Sequence, residues 1–122
     1  MTGVEKFVED LREFYGNHAV TTRQAGTTLL VKLMDISIPR RREKTDVLLE
    51  IPEGSLARGE RPRVYVRDGT KQPNGRPGKN VTATQVHGET WLTFSWEFGW
   101  VAAAPAWALV EGAVRRFAHD ED

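Results

Sequence analysis

The stretch 28–67, TLLVKLMDISIPRRREKTDVLLEIPEGSLARGERPRVYVR, decides the fold. Leu29, Val31 and Leu33 give partial alternation in the β-branched run Thr28–Ile38, which Pro39 ends. Val47, Leu49 and Ile51 share one face of Thr45–Ile51 before Pro52-Glu53-Gly54 breaks it. Val64 and Val66 alternate against Tyr65 in the short run Arg63–Arg67. Apolar residues at period two lay one face of a strand on a core. The run Arg40-Arg41-Arg42-Glu43-Lys44 reads as a hairpin turn or loop. With connections this short, an antiparallel meander is the cheapest topology.

Toward the N-terminus, His18–Ala25 supplies one more strand, closed by Gly26. A helix precedes it. Thr2 and Glu5 fit a capping box, and Val4, Phe7, Val8, Leu11, Phe14 and Tyr15 form one apolar stripe at helical period. Gly16-Asn17 closes the helix. Toward the C-terminus, Asp68–Thr90 is irregular and poor in apolar residues, with turn signals at Asp68-Gly69, Pro73-Asn74-Gly75 and Pro77-Gly78. Long loops of this kind are usually functional or disordered. Trp91–Trp96 alternates strictly and reads as a further strand or an extended segment on the core. A last helix runs from about Pro105 to Ala118, with Trp107, Val110, Val114 and Phe117 on one stripe. The expectation is one α+β domain over residues 1–122. It has an N-terminal helix, a four-stranded antiparallel meander sheet, a long irregular loop and a C-terminal helix, both helices on one face of the sheet.

Composition narrows the chemistry. The 122 residues include no cysteine, so thiol nucleophiles, thioester carriers, disulfides and Cys-ligated metals are excluded. The 17 basic and 17 acidic side chains cancel but are not evenly spread. Residues 1–22 carry two basic and four acidic groups, residues 23–79 thirteen and seven, and residues 80–122 two and six. A basic middle between acidic ends either steers an anionic partner or is neutralised by the folded termini. The apolar stretch Trp100–Val110 is half of a membrane span and holds Pro105, and no signal-peptide pattern opens the chain, so a cytoplasmic protein without membrane contact is expected.

This order of elements resembles the ubiquitin-conjugating enzyme fold, and local features add to the likeness over nearly the whole chain. Pro52 follows the third strand and Pro62 precedes the fourth, as in that family. Gln72-Pro73-Asn74 is similar to its His-Pro-Asn motif, and Trp100 precedes the final helix as a family tryptophan does. Gly88-Glu89-Thr90-Trp91, followed by Ser95 and Trp100, looks most like the divergent bacterial branch of ubiquitin-conjugating-like proteins. The resemblance implies an activating enzyme, a ubiquitin-like protein or a deconjugating protease as partner. It also exposes a departure. Counting back from Trp100 by the family's spacing reaches Leu92, with Trp91 adjacent, and neither side chain can be acylated. Gln72 stands in place of the motif's histidine, and the oxyanion role of its asparagine has no nucleophile to serve at Asn74. The expected function is therefore a non-catalytic binding or scaffold component of a bacterial ubiquitin-like conjugation system.

Other residues offer other readings. His87, beside Gly88 and Glu89 in the irregular segment, could act as a general base with Glu89 and Asn74 lining a pocket; a surface histidine without a role is the plainer reading. Arg40, Arg41 and Arg42 could hold phosphates or an acidic protein surface. Zero net charge, and Tyr65 as the sole aromatic interleaved with basic residues, argue against nucleic acid. Both faces of 91–96 carry tryptophan, so Trp91 or Trp96 is a candidate interface anchor, while most of the aromatics belong in a core. The three histidines show no metal-ligand spacing, and no cofactor is implied.

Overall fold

A computed structural model describes residues 3–37, 44–68, 70, 81–94 and 104–119. Helix α1 (Gly3–Tyr15) buries Phe7, Val8 and Leu11, the middle of the apolar stripe. Gly16 follows with φ +101°, a conformation that favours glycine, and its N–H bonds the Arg12 carbonyl at 2.9 Å. A single short helical turn, Asn17–Ala19, occupies the expected start of the first strand.

Six strands follow: β1 (Val20–Ala25), β2 (Thr28–Ser37), β3 (Lys44–Pro52), β4 (Arg63–Arg67), β5 (Val81–Val86) and β6 (Glu89–Phe94). Helix α2 (Ala106–His119) ends the described chain. All pairings are antiparallel, and the strand order is β1-β2-β3-β4-β6-β5. The α+β class is as expected, but among the described residues the sheet has six strands where the sequence predicts four. The extra pair is a hairpin. β6 is the alternating tryptophan segment, and β5 lies inside the stretch expected to be irregular. Val81-Thr82-Ala83-Thr84-Gln85-Val86 lacks the apolar alternation of a buried strand because it is an edge, with Thr82, Ala83 and Gln85 exposed. His87-Gly88 joins the two strands as a two-residue turn, with φ +48° and +89°, the signs that the favoured hairpin turn requires.

The core lies between the sheet and both helices. Leu11 of α1, Val31, Leu33, Val47, Leu49 and Val66 of the sheet, and Leu109, Val110 and Phe117 of α2 are all fully buried there. Each such side chain contributes about 1.5–3 kcal/mol by leaving water. Tyr15 ties the helices together, its hydroxyl donating to Glu111 at 3.0 Å. Burial, and then the nearby Glu111 carboxylate, push that phenol far above its usual range.

The opposite face of the sheet carries a second cluster of Leu30, Leu48, Tyr65, Val86 and Trp91. Val86 reaches it because the hairpin folds back. Among the described residues β4 pairs with β6 at Val66↔Leu92 and Arg67↔Trp91, a register that directs the His87-Gly88 turn past the C-terminal end of β4. Yet the His87 ring lies 3.6 Å from Glu50, which is paired with Arg63 at the other end of β4. The tip of the hairpin therefore crosses over the outer face and covers the cluster. Among the described residues no helix is long and apolar enough to cross a membrane.

Candidate functional site

The folded-back hairpin creates a polar cluster that sequence spacing does not show. Glu50 Oε1 accepts from the Tyr65 hydroxyl at 3.1 Å and lies 3.8 Å from the Arg63 guanidinium. Its other oxygen faces His87 Nε2 at 3.6 Å. Burial first, then Glu50, raise the Tyr65 phenol above its usual range, with Arg63 opposing. Lys32 Nζ stands 5.7 Å from the centroid of the Trp91 ring, within cation–π range. The sequence pairs His87 with Glu89; the fold gives His87 the carboxylate of Glu50, and Glu89 is exposed at the start of β6. Trp91 is 4% exposed, so its ring is sealed under the hairpin and not presented to a partner. Asn74, Trp96, Arg40, Arg41 and Arg42 lie outside the described residues.

The other face of the molecule holds a groove of about 880 Å³ between α1, which lines it from Gly3 to Phe14, the turn after β3 and the start of α2. Its aromatic wall is Phe14 stacked on Trp107, with ring centroids 4.8 Å apart and planes within 11°. The Tyr15 ring meets Phe14 edge-on at 4.8 Å. Phe14 is 49% exposed and Trp107 37%, although both sit on stripes that the sequence assigns to the core. Helical period places a residue on the apolar side, but it does not say where the neighbouring helix stops covering it. Leu56, Ala57 and Pro105 add apolar lining, and Lys6, Asp10 and Glu13 form a charged rim. The turn that supplies Leu56 and Ala57 is held by its backbone. Gly54 takes φ +75°, Ser55 N–H bonds the Pro52 carbonyl at 3.0 Å, and Glu60 N–H bonds the Ser55 carbonyl at 2.9 Å. Arg58 closes the turn on Glu60 at 2.7 Å. His87 and Glu89 do not line this groove.

Stacked, half-exposed aromatics on a braced scaffold suit protein recognition, because large rigid side chains desolvate on contact at small entropic cost. No group of three or more metal-ligating side chains is found among the described residues. Comparisons of the chain with protein-family models, curated proteins and solved structures found no match.

Proposed function

We propose that the chain is a non-catalytic ubiquitin-conjugating-like domain, acting as a binding or scaffold component of a bacterial ubiquitin-like conjugation system. The observation that carries the binding role is the exposed Phe14–Trp107 stack, set in a groove between α1, the turn after β3 and α2. The scaffold reading is supported by the chain order of a helix, a meander from β1 to β4 and a final helix on the same face. The non-catalytic reading is supported by the absence of cysteine. Leu92, at the position the resemblance assigns to the thiol, is buried in the core between sheet and helices. The partner classes are an activating-enzyme-like protein, a ubiquitin-like protein and a deconjugating protease. Cytoplasmic location belongs to the same proposal.

The test incubates the protein with an activating enzyme, ATP and a ubiquitin-like protein, and separately titrates each partner class by calorimetry. Binding without covalent capture is expected, weakened about tenfold or more by Trp107→Ala. A thiol-sensitive adduct overturns the non-catalytic role. Failure to bind any of the three classes overturns the scaffold role.

A further inference from the structure

The hairpin that covers the outer face ends the sheet in a strand whose free side has an unusual composition. β5 has no charged residue and no proline, and its register with β6 runs without a bulge from Val81↔Phe94 to Val86↔Glu89. Natural edges are normally blunted by those very devices. The other edge, β1, carries Arg23 in its middle. Val86 and Glu89 flank the two-residue turn, so Val86, Thr84 and Thr82 direct their backbone groups to β6. The N–H and C=O groups of Val81, Ala83 and Gln85 then point away from the sheet. Among the described residues no strand pairs with them.

We propose that this edge is a self-association site, where two copies of the chain join antiparallel along Val81–Val86 about a two-fold axis at Ala83. The occupant is a second copy because the edge is complementary to itself. In this register Ala83 faces Ala83, Val81 faces Gln85, and Thr82 faces Thr84 of the other copy, so no like charges meet and Thr–Thr contacts form on both sides of the axis. The register also engages all three outward positions of each copy, giving about six backbone hydrogen bonds. A shift centred on Thr84 would bring Val81 opposite the His87 turn and leave fewer bonds. A neutral chain adds no net repulsion between copies.

The experiment is light scattering after gel filtration of the full chain, over a series from about 1 µM to about 500 µM, with amide exchange read at each end. Twice the mass of one chain is expected at the upper end. Protection of the Val81, Ala83 and Gln85 amides should be lost on dilution, while that of Thr82 and Thr84 persists. Ala83→Pro removes one outward N–H from each copy, and Ala83→Lys places two ammonium groups at the axis. Each is expected to weaken association at least about tenfold. Circular dichroism confirms that the variants are folded, and the lysine variant serves if the proline one is not. Monomer throughout the series overturns the proposal, as does a dimer that a folded variant leaves intact.

Discussion

Removing the hydroxyl that joins the helices, Tyr15→Phe, should give a stability change that reverses sign with pH. At neutral pH the variant loses the bond to Glu111 at 3.0 Å. A hydrogen bond to a charged group contributes about 1.5–3 kcal/mol, but half-buried Glu111 regains water, which leaves a net cost of about 1 kcal/mol. For 122 residues that lowers the thermal midpoint by about 4 °C. Alkali changes the balance. The Tyr15 phenol is raised by burial and then by Glu111, so its contribution is complete below the unfolded value near 10 and declines as pH rises toward the folded value. Each unit above about pH 10 withdraws about 1.4 kcal/mol from the native protein and nothing from the variant. The two stabilities should cross near pH 11, with the variant the more stable beyond it. Urea denaturation of both proteins between pH 7 and about pH 11.5 reads the difference directly, and every other titrating group cancels. A difference that stays constant across that range refutes the assignment of Tyr15 as a half-buried, neutral donor.

Three further outcomes follow from the geometry. Leu11→Ala and Leu109→Ala, each at a fully buried position in the core, should each lower urea stability by about 3 kcal/mol; a loss below about 1 kcal/mol would contradict the packing of α1 and α2 on the sheet. Glu50→Gln removes the charge that faces His87, Tyr65 and Arg63, so the tip of the hairpin should become more open to proteolysis at neutral pH, and the Tyr65 phenol should ionise at lower pH in an ultraviolet titration. Unchanged cleavage would show that the hairpin is held by Val86 and Trp91 alone. Gly54→Ala should cost about 1–2 kcal/mol, because φ is +75° and the new methyl would lie 2.8 Å from the Arg58 guanidinium; a thermal midpoint within about 1 °C of wild type would count against that turn.

Much of the fold is legible because burial imposes a period. The α1 stripe, the alternation in β2, β3 and β4, and the Val110, Val114, Phe117 spacing of α2 each follow from one face meeting the core. β5 is not legible for the converse reason. Thr82, Ala83 and Gln85 face solvent at an edge, so nothing forces apolar alternation, and His87-Gly88 is not among the usual turn dipeptides. The candidate sites are legible only in part. His87 stands out in the sequence, but its partner Glu50 lies on β3 and meets it because the hairpin folds across β4, a long-range event with no local signature. The period of Phe14 and Trp107 points them to the core, and their half-exposure depends on how α1 and α2 cross.

The sheet departs from chain order at one place, where β6 inserts between β4 and β5. That sets an order of assembly. β1 through β4 join neighbours in sequence, each closing a short loop, and β5 and β6 meet across a two-residue turn. Such local pairings form quickly, because little chain entropy is lost before contacts repay it. The joint at Val66↔Leu92 must instead close the long segment between β4 and β6, for two pairs of residues among those described. It should form last and melt first, so the hairpin docks as a finished piece on a sheet already folded. Until that step the Leu30, Leu48 and Tyr65 side chains stand uncovered. A chain in which that joint has not yet closed would present a four-stranded sheet with a bare apolar back, a surface of the kind that aggregates during refolding.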